Sequence, residues 1–159
     1  ACCLPWMEWG YLGVTRWKRM DVVFLIGAAV VCVGALALIP FVPSLRNMYP
    51  SASQLSDADK WAFFSLQLVW IAAWLPGWEF LHRYVLLRRA AATWPRFGWL
   101  LVPLSEGLYH LQKPPIEALG MVLFSLVLTG WAVKRRNMLL PFLVHLAIEI
   151  ALPLVRLMV

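Results

Sequence analysis

Apolar positions along this chain come in long unbroken runs, with none of the alternating polar face that a water-exposed helix requires. Residues 22–42 form the first run, close to the roughly 20 residues that cross about 30 Å of hydrocarbon, and Pro40 and Pro43 mark its end. Residues 44–60 are polar and read as an extramembrane loop, with Ser56 and Asp59 at capping-box spacing before the next helix. A second run, 61–89, exceeds one membrane thickness, and Pro76-Gly77 predicts a kink just before its polar stretch. A short third span, 97–110, contains Pro103 and is stopped by Lys113-Pro114-Pro115. A fourth covers 116–133, and a fifth covers 138–159 with Pro141 in its first turn. The expected fold is all-α: a polytopic, Pro-kinked transmembrane helix bundle of about five spans, forming one domain over residues 22–159. Residues 1–21 mix Trp6, Trp9, Tyr11 and Trp17 with Arg16, Lys18 and Arg19 and read as an interfacial segment.

Composition narrows the class further. With 62% hydrophobic and 14% charged residues, the chain is too apolar for a soluble domain of 159 residues. Its net charge of +6 resides in short clusters at the ends of apolar runs, which membrane topology explains and nucleic-acid binding does not. Arg16, Lys18, Arg19, then Arg88, Arg89, Arg96, then Lys134, Arg135 and Arg136 fall on one side, which is expected to be cytoplasmic. Cys2, Cys3 and Cys32 have no zinc or disulfide spacing. The first residue is Ala and no signal-peptide pattern precedes the first span, so the N-terminus is expected to be processed or incompletely represented.

Ionisable residues inside the apolar runs carry the functional signal. Glu79, Glu106, Glu117 and Glu149 lie in or at the end of expected spans, as do His82, His110 and His145. Each costs at least about 2.5 kcal/mol in hydrocarbon unless it is compensated, so such groups face a protein interior or a hydrated cavity. Glu79 with Arg83, Glu106 with His110, and His145 with Glu149 are each four apart and share a helix face. At about 1.5 Å per residue, Glu79, His110 and Glu149 reach roughly 15 to 18 Å deep and His145 about 10 Å. They are expected to meet near the middle of the membrane. Lys113 and Glu117, also four apart, are expected to stabilise the Pro-containing bend, and His82 to hydrogen-bond between helices.

These motifs resemble the CPBP family of intramembrane proteases, also called the CAAX-protease and bacteriocin-processing or Abi family. Its usual patterns are Glu-Glu-x-x-x-Arg, Phe-x-x-x-His and His-x-x-x-Asn. Here they read Trp78 to Arg83, Glu106 to His110, and His145 to Glu149. A bacterial branch with an aromatic-Glu-Phe opening and a His-x-x-Lys-Pro-x-x-Glu block is closer still, the block matching His110 to Glu117. The resemblance runs from about Trp70 to the C-terminus, within a CPBP-like core of about 61–159. Trp78 stands where the family has its water-activating Glu, Glu106 replaces the Phe, and Glu149 replaces the Asn. The resemblance implies a bacterial inner-membrane peptidase acting on a membrane-associated peptide or protein. Glu79 would activate water, His110 and His145 would orient it or stabilise the oxyanion, and Glu149 would fix a tautomer. Arg83, Glu106, Lys113 and Glu117 would support them.

Other readings stay open at this level. His110, His145 and Glu149 or Glu79 could hold zinc with one position free for water, although no contiguous His-Glu-x-x-His motif is present, so the cofactor is either none or a divalent metal. The altered motifs permit a pseudo-protease retained as a structural or assembly subunit of a respiratory or photosynthetic membrane complex. An intramembrane His110 or His145 could also ligate haem or chlorophyll.

Overall fold

The structure, a computed structural model, describes residues 9–13 and 17–159. Part of the expected interfacial segment, including Trp6 and Arg16, lies outside the described residues. Every regular element among the described residues is helical: α1 (Arg19–Leu36), α2 (Pro43–Met48), α3 (Asp57–Glu79), a π-helical segment (Phe80–Leu86), α4 (Leu87–Thr93), α5 (Leu101–Tyr109), α6 (Pro115–Arg135) and α7 (Leu139–Met158).

Sequence chemistry sets several of these boundaries. The α3 N-terminus is capped by Ser56, whose hydroxyl accepts from the Asp59 amide at 3.2 Å and donates to the Asp59 carboxylate at 2.6 Å. Pro115 opens α6, where its missing N–H costs nothing. Arg136 ends α6 in the left-handed region at φ 49°.

α1 is apolar around its whole circumference, and only Asp21 in it is buried, so it presents hydrocarbon to lipid. It packs along α7, which α3 flanks as well, while α5 lies against α6. Leu128, Leu140 and Val144 form the core where α6 meets α7, joined by Phe24, Leu25 and Ala28 from α1. Asp21 ties α1 to the end of α6: its carboxylate accepts from Arg135 Nε at 2.7 Å, Arg135 Nη2 at 2.6 Å and Trp131 Nε1 at 3.1 Å. This end of the bundle carries the basic clusters. The linker between α1 and α3 closes the other end, where the Ala52 amide donates to the Arg156 carbonyl at 2.7 Å.

Among the described residues three helices are long and apolar enough to cross a membrane: Arg19–Phe41 when the turn after α1 is included, Pro115–Arg135 and Leu139–Met158. The second expected span exists as α3 continued by the π segment and α4. The expected third span does not reach full length. α5 has nine residues, with one 3-10 turn on each side, short of the roughly 20 a crossing needs. The break in the second span also differs from expectation. α3 runs through Pro76-Gly77, and the irregular turn begins at Phe80. The chain is an all-α integral membrane protein.

Close approach of α5 to α6 depends on Gly107. A Cβ there would lie 2.4 Å from Val122 Cγ2. Gly107→Ala is expected to cost about 1–3 kcal/mol through overpacking, read as a lowered thermal midpoint in detergent. Val122→Ala in the same chain should recover most of that loss, and no recovery would show that Gly107 acts through something other than this contact.

Candidate active site

A seven-residue π-helical segment inside a long helix is uncommon, and such widened turns concentrate at functional sites. Here the segment buries His82, Arg83 and Tyr84 in succession, immediately after Glu79. Arg83 is fully buried and serves two carboxylates. Its Nη1 donates to Glu79 Oε1 at 2.5 Å and lies 3.1 Å from Glu106 Oε1, and its Nη2 donates to Glu106 Oε2 at 3.3 Å. The guanidinium sits between two carboxyl groups, and the fourth member of the group, His145, places Nδ1 at 2.6 Å from Glu79 Oε1. The other ring nitrogen, Nε2, faces Glu149 Oε1 at 3.5 Å. Trp74 and Phe124 hold the imidazole edge-on, with ring centroids 5.9 and 6.2 Å away.

The end of α3, the π segment, α5 and α7 thus bring Glu79, Arg83, Glu106, His145 and Glu149 into one chain of contacts. Glu79 Oε1 is shared by Arg83 and His145, whereas Glu79 Oε2 is buried with no protein hydrogen-bond partner. A carboxylate fixed through one oxygen and bare at the other is suited to accept a proton from a bound water.

His110 belongs to a second group at the junction of α5 and α6. Its Nδ1 lies 3.5 Å from Glu117 Oε1, which also takes the Lys113 ammonium at 2.8 Å and the Tyr49 hydroxyl at 2.7 Å. Lys113 donates to Tyr49 Oη at 3.0 Å. Burial favours the neutral amine of Lys113, but its hydrogen bonds to Glu117 and Tyr49 outweigh this and hold the ammonium above its ordinary range. Burial pushes the Tyr49 phenol up to about 12, against the pull of Lys113, so it keeps its proton. Glu106, four residues before His110, belongs to the first group through its ion pair with Arg83.

Several sequence expectations change. Glu106 turns to Arg83 and leaves His110 to Glu117, because the guanidinium is a permanent charge with several donors. His82 bonds within its own helix, Nδ1 lying 3.0 Å from the Trp78 carbonyl, with its ring stacked on Trp78 at 4.0 Å. Trp78 also meets Tyr109 at 4.8 Å. The ligand set of His110, His145 and Glu149 is not assembled. No group of three His, Cys, Asp or Glu side chains among the described residues is placed to hold a metal ion. The two nitrogens of His145 point to different carboxylates, and His110 is committed to the α6 side, so these residues do not fit a zinc centre. Tyr49 gave no signal in the sequence, since its partners lie 64 and 68 residues away.

An open groove of about 520 Å³ runs between α5 and α6, lined by Leu104, Gly107, Leu108, Leu111, Ala118 and Val122 among others. Apart from Lys113 its wall is apolar.

No curated protein and no solved structure matches the chain. A family model described as "Rce1-like: Type II CAAX prenyl endopeptidase Rce1-like" matches residues 58–151, which is more than half of the 159 residues and includes α3, the π segment, α5, α6 and most of α7. The chain belongs to this Rce1-like family.

Proposed function

We propose that the chain is an intramembrane peptidase that hydrolyses a peptide bond in a membrane-associated substrate, with its basic-cluster end in the cytoplasm of a bacterial cell. The observation that carries this reading is the state of Glu79: buried, anchored through Oε1 by Arg83 and His145, and unpartnered at Oε2. In the proposed reaction, water gives a proton to Glu79 Oε2 while its oxygen attacks the substrate carbonyl carbon. The tetrahedral oxyanion is stabilised by an N–H of His145, and His110 orients the attacking water. Glu79 then returns the proton to the leaving nitrogen as the C–N bond breaks, which restores the carboxylate. Glu149 holds the outer side of His145, and Glu106 keeps Arg83 in place. The apolar groove between α5 and α6 supplies a lipid-facing surface for the hydrophobic part of a substrate.

The test uses purified protein in proteoliposomes with a farnesylated Cys-aliphatic-aliphatic-X peptide, a probe chosen from the family description. Release of the C-terminal tripeptide, detected by mass spectrometry, is the expected result. One observation favours the pseudo-protease reading: Trp78, at the position of the family's first Glu, is packed between His82 and Tyr109 and brings no carboxylate. Under that reading neither the wild type nor any variant cleaves, and the protein co-purifies stably with a larger membrane complex.

A further inference from the structure

The linker between α1 and α3 lies outside the segment that the family model matches, yet it supplies a side chain to the neighbourhood of His110. Tyr49 follows α2 directly, and its hydroxyl donates to Glu117 Oε1 at 2.7 Å. That same oxygen is the atom nearest His110 Nδ1, at 3.5 Å. His110 is about nine-tenths buried, and its Nδ1 has no hydrogen-bond partner in the protein. A buried ring nitrogen facing a carboxylate oxygen is an arrangement that tightens when the other ring nitrogen is engaged by a substrate. The segment carrying Tyr49 is itself anchored. Besides the Ala52 contact, Arg156 Nε at the end of α7 donates to the Pro50 carbonyl at 3.0 Å.

We propose that Glu117 and Tyr49 are positioning residues for His110. Glu117 accepts the hydrogen bond of Nδ1–H and so leaves the Nε2 lone pair to accept from the attacking water, and Tyr49 and Lys113 fix Glu117 for that task. This rests on the peptidase reading. It also extends the functional unit beyond the matched segment, to the loop from which Tyr49 reaches Glu117. A carboxylate beside a histidine that orients a tautomer acts through that histidine, as the Asp of a Ser-His-Asp triad does. Trp78 contributes no carboxylate to this region, so Glu117, from α6, is the acidic partner of His110. Glu117 faces His110, Lys113 and Tyr49 hold Glu117 from its other side, the Tyr109 ring lies edge-on to His110, and Glu106 is one turn away on α5. Of these, Glu117 is the carboxylate within 3.5 Å of its ring.

The test reads the tautomer directly. Protein labelled with ¹⁵N in its histidine rings is placed in lipid nanodiscs, and the His110 signals are assigned by their loss in His110→Gln. The wild type is expected to show one His110 tautomer, with the proton on Nδ1. Glu117→Gln should convert it to a mixture or to the other tautomer, Tyr49→Phe should give a smaller change in the same direction, and the His145 signals should not move. With the farnesylated peptide, Glu117→Gln should lower kcat at least about tenfold with KM unchanged, and Glu117→Asp should recover part of the loss. Tyr49→Phe removes a single hydroxyl and serves as the informative variant if Glu117→Gln fails to fold. His110 signals that are identical in wild type, Glu117→Gln and Tyr49→Phe would overturn the proposal and leave the group as a structural tie. Cleavage that survives Glu117→Gln at the wild-type rate would overturn it while leaving the peptidase reading intact. A tautomer change in a protein that never cleaves would sink the peptidase reading and uphold the positioning.

Discussion

Replacing Arg83 with Met is expected to destabilise the folded protein by about 3–5 kcal/mol, the usual cost of removing one partner from a buried ion pair. Arg83 has no exposed surface, and neither does the Glu79 it serves. Met keeps much of the side-chain length, so the effect isolates charge from volume. Without the guanidinium, Glu79 and Glu106 are two buried carboxylates facing one another with His145 as the remaining donor. The expected signature is a much lower thermal midpoint in detergent or nanodiscs. Adding Glu106→Gln to Arg83→Met removes one of the two stranded charges and should restore part of the stability. An Arg83→Met protein as stable as the wild type would show that the two carboxylates do not depend on this cation. In that case the buried group would not be the ion-paired centre described above.

The second large effect concerns chemistry with stability held nearly constant. Glu79→Gln keeps a carbonyl oxygen that can accept from both Arg83 and His145, so the helices retain their contacts. The variant loses the basic oxygen that faces the unpartnered side of the residue. Positioned general bases contribute roughly 10²- to 10⁴-fold, and a loss in that range is expected in kcat. The two substitutions should therefore separate: Arg83→Met impairs folding, and Glu79→Gln impairs turnover in a folded protein.

How much of this was legible beforehand depends on sequence distance. Pairs within one helical turn were readable from spacing: Glu79 with Arg83, Lys113 with Glu117, and the Ser56 cap with Asp59 all form as expected. The meeting of Glu79 with His145, 66 residues apart, followed from counting depth along two apolar runs. Spacing left the partner of Glu106 open, because sharing a face with His110 does not decide which neighbour wins, and a guanidinium on another helix was the stronger partner. The π segment was not legible, since hydrophobic periodicity assumes a regular turn. The shortness of α5 was only half visible: Pro103 and Lys113-Pro114-Pro115 limited the span, but the 3-10 turns at both ends carry no sequence mark of comparable strength. Tyr49 was invisible because nothing local distinguishes it from any other aromatic residue near a membrane boundary.

Turnover of the farnesylated peptide by wild-type and Glu79→Gln protein, in the same proteoliposomes and with matched thermal midpoints, bears most directly on the role assigned to Glu79. The expected result is tripeptide release by the wild type and at least a hundredfold slower release by the variant. Equal rates from the two proteins would contradict it.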